Sequence, residues 1–377
     1  MKKLALLIIF TLFFQIIAFS QTCLPDGISF TTQTQIDSFQ INYPGCTEIE
    51  GNMEIHGDYL SNLNGLSILT SIGGDFGVSC YGNTLTNLTG LDALTTIGGD
   101  LVITGGCFTS LTGLNALTFI GGDFVIIYQG SLTDLTGLNS LTSIGGDFHI
   151  GGAQGLINLI GVESLTSIGG HLKIVGTHNL NSLTGLESLT SVGGPLLIVG
   201  NGSLTSLLGL VNMTAIAGRL YIGWNSVLTS LTGLENIDPT TIDSLFIGVN
   251  DSLSTCEVQS VCYYLTAPNG TIEISDNASG CNSQAEVEEA CLIIGSSDID
   301  VGTEYSIYPN PAIKEIFITR INKIHVKDVN IYNQIGQLVL HKELINNSID
   351  VSSLKQGIYV IELVTNDLKF REKLIIK

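Results

Sequence analysis

Apolar residues in the middle of this chain follow two alternating rhythms. Leu132, Leu135, Leu138, Leu141 and Ile144 are spaced by three, and Gly146, Phe148 and Ile150 then come in steps of two. Steps of two turn one face of a short strand inward. Steps of three do not suit a one-faced α-helix, because each slips about 60° at 3.6 residues per turn. The first half of the unit is therefore expected to wind through short arcs and turns, with a leucine inward at every third residue.

The unit repeats. Gly73-Gly74, Gly98-Gly99, Gly121-Gly122, Gly145-Gly146, Gly169-Gly170 and Gly193-Gly194 recur at spacings of 25, 23, 24, 24 and 24, and Ala217-Gly218 comes 24 residues later. The phrase L-x-G-L keeps the same beat eight times from Leu63 to Leu234, with Val162 once in the last place. A fixed period of this length is the signature of a solenoid. One coil cannot bury its own leucines. Stacked coils can, with parallel strands about 4.8 Å apart, so eight or nine coils make a rod of about 40 Å. Glycine doublets let the backbone turn sharply or pack closely where each strand begins.

The predicted fold is thus all-β: a parallel β-solenoid of about eight 24-residue coils over residues 49–254, and after it a small antiparallel β-sandwich over residues 305–377. In the latter, apolar stretches at 315–318, 329–332, 337–340, 357–363 and 369–377 are separated by turn residues such as Gly336 and Asn366-Asp367.

Charge separates the same two regions. Residues 21–304 carry only Lys173 and Arg219 against 27 acidic residues, whereas residues 305–377 carry 10 basic and 7 acidic residues. The acidic part would be repelled by nucleic acid and by anionic membrane surfaces. At the amino end, Lys2-Lys3, the apolar run Leu4 to Ile17 and Ala18-Phe19-Ser20 read as a signal peptide cleaved between Ser20 and Gln21. The run is too short to favour a membrane span, and no second one of membrane length comes after it.

All eight cysteines lie beyond that segment. An even count in an exported chain reads as disulfides, and the absence of any CxxC argues against zinc. Cys23–Cys46 would close an amino-terminal cap over residues 21–48, and Cys80–Cys107 would staple neighbouring coils. Cys256–Cys281 and Cys262–Cys291 are favoured over the two other pairings for a carboxy-terminal cap over residues 255–292. Caps are needed because the rod would otherwise end in open strand edges. Residues 293–304 are expected to be a linker, whose stretch Gly295-Ser296-Ser297-Asp298-Ile299-Asp300 is small and polar, as a cleavable linker should be.

Stacking turns equivalent residues into columns. Asp75, Asp100, Asp123 and Asp147 share one outward column, continued by His171, Pro195 and Arg219. A calcium ladder is one reading. With a single carboxylate per coil, a solvated turn edge is the favoured one, and no metal or cofactor is expected. A second outward column runs Val102, Val125, His149, Lys173, Leu197, Tyr221 and Phe246. Exposed apolar residues in series on a rigid sheet mark a partner site or a face covered by a loop or the terminal domain; His149, Lys173, Leu197, Tyr221 and Phe246 are the candidate ligand face for a glycan or protein. By strand alternation, Trp224 falls on an inward position and is expected in the core. His149, His171 and His178 lie near the aspartate column, yet no nucleophile motif frames them. No enzyme activity is expected. The alternative is a carbohydrate-active β-helix enzyme, a lyase or hydrolase.

Two resemblances sharpen this picture. The strand I-x-G-[DH]-[FL]-x-I with L-x-x-L-x-G-L-x-x-L-T after it resembles the receptor L-domain family over roughly residues 45–255. That likeness implies a right-handed, leucine-rich-like β-helix that binds proteins or glycans. The order Tyr308-Pro309-Asn310-Pro311-Ala312, then I-Y-N-Q-I-G-Q, then I-D-V-S-S-L-K-Q-G-I-Y and a basic tail resembles the type A sorting domain of the type IX secretion system. It implies passage across an outer membrane on the type IX machinery, with the protein released or held at the cell surface. Together these give the expectation of an exported, non-catalytic recognition or adhesion protein.

Overall fold

The computed structural model describes residues 21–57, 59–80, 84–294, 305–320, 326–333, 337–344, 348–364 and 369–377. The predicted signal peptide and most of the predicted linker lie outside them. Two units are distinguished, divided after Ser279.

The first unit is a parallel solenoid. Its longer sheet has 11 strands and its shorter sheet nine, each ordered strictly along the chain. One coil contributes Ser143–Ile144 to the short sheet and Phe148–Gly151 to the long one. The steps of three between strands form no α-helix, and every leucine of that rhythm is buried, from Leu132, Leu135, Leu138 and Leu141 to their counterparts in neighbouring coils. The pattern of apolar positions does not announce the shorter sheet, because its strands are two residues long and alternation cannot be read from two positions.

The rod is also longer than the repeat count implies. Ile28–Phe30, inside the predicted amino-terminal cap, pairs in parallel with Met53–His56, and Ile272–Asn277 pairs with Ile242–Asn250 at the other end. These terminal strands extend the sheet without carrying the repeat phrase. Short helices, Gln33–Asp37 and Phe39–Asn42 at one end and Gln259–Thr266 at the other, bury Ile36, Phe39, Val261 and Tyr264 beside the outermost coils. Caps built this way shield strand edges that would otherwise template association.

Three hydrogen-bond ladders lock one coil to the next. In the first, each threonine hydroxyl from Thr70 to Thr214 donates to the backbone carbonyl of the threonine one coil earlier, at 2.9–3.1 Å. The second is made by the aspartate column. Asp100 N–H donates to Asp75 Oδ1, Asp123 N–H to Asp100 Oδ1, Asp147 N–H to Asp123 Oδ1 and His171 N–H to Asp147 Oδ1, at 2.7–2.9 Å. Asn52 starts this ladder by accepting from Asp75 N–H. The aspartates are therefore inter-coil struts as well as a partly exposed turn edge. The glycine doublet has its reason in the same geometry: a Cβ on Gly122 would overlap Asp100 Oδ1, and one on Gly121 would overlap the Gly98 carbonyl.

The third ladder is buried. Thr177, Asn201, Asn225 and Asn250 donate their N–H groups to the side-chain oxygens of Asn201, Asn225, Asn250 and Asn277, at 2.9–3.1 Å. Asn201, Asn225 and Asn250 also donate through Nδ2 to the carbonyls of Ile174, Ile198 and Ile222. A buried amide is stable only when its donors and acceptor are met, and here both are.

Cys23–Cys46 and Cys80–Cys107 are bonded as expected, with Cα separations of 5.7 and 5.8 Å. Cys256, Cys262, Cys281 and Cys291 are likewise in disulfides.

The second unit contains a three-stranded and a four-stranded antiparallel sheet. Their inward residues, among them Ile316, Ile318, Val329, Ile331, Ile361, Leu363 and Leu374, form one buried core. The five expected strands are present, and Tyr305–Tyr308 and Ser348–Asp350 complete the smaller sheet.

Candidate functional site

The long sheet turns one set of side chains outward. Its register aligns Val102, Val125, His149, Lys173, Leu197, Tyr221, Phe246 and Glu273 in successive strands. The five candidate residues therefore share one column, yet they divide into two settings.

His149 and Lys173 belong with Asp147. Lys173 Nζ donates to Asp147 Oδ2 at 2.6 Å, and His171 Nδ1 lies 3.2 Å from the same oxygen. Burial pushes the Asp147 carboxyl up, but the His171 N–H and the Lys173 ammonium outweigh it and hold it below its ordinary value. Burial, then Lys173, lowers the His149 imidazole. A carboxyl depressed in the folded state stabilises the fold at pH above its unfolded value, about 3.9, and loses that contribution as pH falls through the folded value. Thermal melts between pH 2 and 6 are expected to show a steeper acid loss in the wild type than in Asp147→Asn. Equal slopes would mean that the ion pair contributes nothing.

Tyr221 and Phe246 form the other setting, with two residues from outside the candidate column. The rings of Tyr221 and Phe246 stack at 4.1 Å, and Trp224 lies nearly parallel to both, at 6.1 and 5.8 Å. The Arg219 guanidinium sits 4.3 Å from the Tyr221 ring centre and 5.4 Å from that of Phe246, a cation–π arrangement. Gly223 and Gly248 make room for the rings, since a Cβ on Gly248 would come 2.8 Å from Phe246 Cζ. Burial raises the Tyr221 phenol above its ordinary value, with Arg219 opposing and Glu273 assisting. Phe246, placed on the ligand face by alternation, is covered in this stack and only 7% exposed. Leu197 lies between the two settings, half-buried.

Trp224 corrects the expectation of a core residue. It is 46% exposed and has φ +57°. The left-handed backbone rotates its side chain outward, and Asn225 takes the inward place in the buried ladder. Coils share this backbone state: Tyr128, Gly152, Gly176, Gly200 and Trp224, each one residue after its strand, and Val249 and Asp276 near the ends of theirs, all have φ between +57° and +70°. For a bulky residue such a conformation costs about 1–2 kcal/mol, so aromatic side chains here are held at an energetic cost.

Oδ1 of each aspartate strut is engaged by the next coil, and among the described residues no group of three or more histidine, cysteine, aspartate or glutamate side chains is placed to hold an ion. A groove over Gly77 is flanked by Glu54, Asp75 and Asp100 beside apolar Val78 and Val102. His178 is exposed.

Residues 306–377 match the family described as the secretion system C-terminal sorting domain. That segment is a type IX sorting domain. The chain is thereby marked for export on the type IX machinery, to the medium or the cell surface. Among the described residues no helix is long and apolar enough to cross a membrane. A second similarity is to beta-agarase D of Zobellia galactanivorans, 39% identical over 57 residues. It covers 15% of this chain and 11% of that protein.

Proposed function

We propose that this is an exported, non-catalytic recognition or adhesion protein, with the solenoid as binding scaffold and the sorting domain as its address. The observation that carries the reading is the Arg219–Tyr221–Trp224–Phe246 cluster on the outward face of a sheet locked coil to coil. Exposed aromatic side chains on a rigid support are what recognition surfaces use for anchors. A receptor L-domain-like role fits the same architecture.

The acidic and basic groups speak for binding rather than turnover. Asp147, the carboxylate nearest to histidine and lysine, has both oxygens engaged, one by the His171 N–H and one by Lys173. A carboxylate that its neighbours hold below its ordinary pKa is a poor general base near neutral pH. The alternative, a carbohydrate-active enzyme, draws its support from the short similarity to an agarase.

One experiment separates the two. The purified full chain without residues 1–20 is offered to arrays of glycans and proteins, and the supernatant is assayed for new reducing ends. Binding without release of reducing ends is expected. Release that survives repurification and is lost in Asp147→Asn would establish the enzyme instead.

A further inference from the structure

The left-handed residues at the end of each long strand form a column of their own. Parallel pairing continues through them: Tyr128 N–H donates to the Gly151 carbonyl, Gly152 to Val175, Gly176 to Val199, Gly200 to Gly223 and Trp224 to Gly248. Tyr128, Gly152, Gly176, Gly200 and Trp224 therefore succeed one another at coil spacing. The two aromatic ends stand about 19 Å apart, four steps of about 4.8 Å.

Between those ends the floor is bare backbone. A Cβ on Gly176 would meet nothing within 4 Å, and one on Gly200 only the backbone of Gly176. The Tyr128 ring leans toward Gly152, so that a Cβ there would come 3.3 Å from its Cδ1. On the sheet side the floor is bordered by half-buried Val175 and Val199. On the other side stand exposed amides: Gln154 Nε2 donates to the Gly176 carbonyl, and Asn179 Nδ2 to that of Gln154. The buried asparagine ladder holds this backbone from beneath. Tyr128 is 73% exposed and Trp224 46% exposed. Packing explains neither Tyr128 nor its left-handed backbone, which the three intervening coils leave to glycine.

The geometry points to a linear, neutral glycan lying along this trough, stacked on Tyr128 at one end and Trp224 at the other. This rests on the recognition reading above and names its ligand. A pyranose presents apolar C–H faces and hydroxyl edges, and the trough presents aromatic faces, an apolar wall and an amide wall. The coil rise is close to the length of one extended sugar unit, so successive units meet equivalent coils. Charge selects against polyanions. Residues 21–304 carry 27 acidic groups and two basic ones. Lys173 is bonded to Asp147, and Arg219 lies on the rings of Tyr221 and Phe246.

Trp224 is the only tryptophan of the chain, so its emission reports on this site alone. The full chain without residues 1–20 is titrated with hexasaccharides of neutral β-linked glucan, mannan and galactan, and with oligogalacturonate as the anionic control. A shift in Trp224 emission with at least one neutral hexasaccharide and none with the anion is expected. Tyr128→Gly and Gly176→Asn should each weaken that binding by about tenfold or more, the scale of one hot-spot residue. Tyr128→Gly relieves the left-handed strain and should not lower the melting temperature, and Gly176→Asn, a residue that tolerates that conformation, should lower it only slightly. Neutral glycan binding that leaves Trp224 emission and both variants unaffected overturns the trough but leaves the recognition reading. Binding of proteins or polyanions alone, or of no neutral glycan, overturns it as well; an empty result across the wider arrays removes both.

Discussion

Leu138→Ala is expected to destabilise the solenoid by about 2–5 kcal/mol, and Asp123→Ala by about 1.5–3 kcal/mol whether or not calcium is present. The two effects have different origins. Leu138 is fully buried, and its equivalents one coil away, Leu114 and Val162, are fully buried too. Backbone ladders hold the coils at fixed spacing, so neighbours cannot close the cavity. Asp123 acts through one oxygen: Oδ1 accepts the Asp147 N–H at 2.7 Å, and alanine leaves that donor without its partner. Asn52 performs the same task for Asp75 with an amide oxygen, so Asp123→Asn should be nearly silent. Urea unfolding of the three variants, with calcium and with chelator, tests each of these effects. Calcium-dependent loss in Asp123→Ala would restore the metal ladder that the geometry disfavours.

The roles of these residues show how far the sequence can be read. Leucine phase, glycine doublets and strand alternation are legible because each coil repeats them, and the period then sets the register. The doublet's reason is not legible. It depends on the aspartate of the preceding coil, a contact that exists only once coils are stacked. The asparagine ladder leaves a trace, since Asn201, Asn225 and Asn250 keep the coil spacing, but a periodic polar residue reads as surface when its partners are unseen. Alternation misplaces Trp224 for a single backbone reason. It assumes extended φ and ψ, and one left-handed residue reverses the parity of the positions after it. The terminal strand Ile28–Phe30 is hidden because it carries no repeat phrase; pairing with a finished neighbour is enough to form it. Alternation places Phe246 correctly on the outward face, but Tyr221 and Trp224 cover it, which a strand pattern cannot show.

Removal of residues 305–377 should leave the solenoid folded and abolish its arrival at the cell surface. The buried core of the sorting domain is built from residues 307 onward, and the leucine core and the three ladders lie wholly before residue 280. The cap cysteines, the last of them Cys291, also remain in the shortened chain. Circular dichroism and thermal melting of the truncated protein should therefore retain the solenoid's transition. The sorting domain carries net charge of opposite sign to the solenoid, with 10 basic residues against 7 acidic ones, as befits a separate module read by other machinery. In the native host the truncated chain is expected to cross the inner membrane through its amino-terminal segment and to accumulate in the periplasm. Cell fractionation with intact-mass measurement would locate it and show whether residues 1–20 have been removed. Truncated protein at the surface in normal amounts would show that the domain is dispensable for export, and the binding experiments would then have to include it as part of the recognition surface.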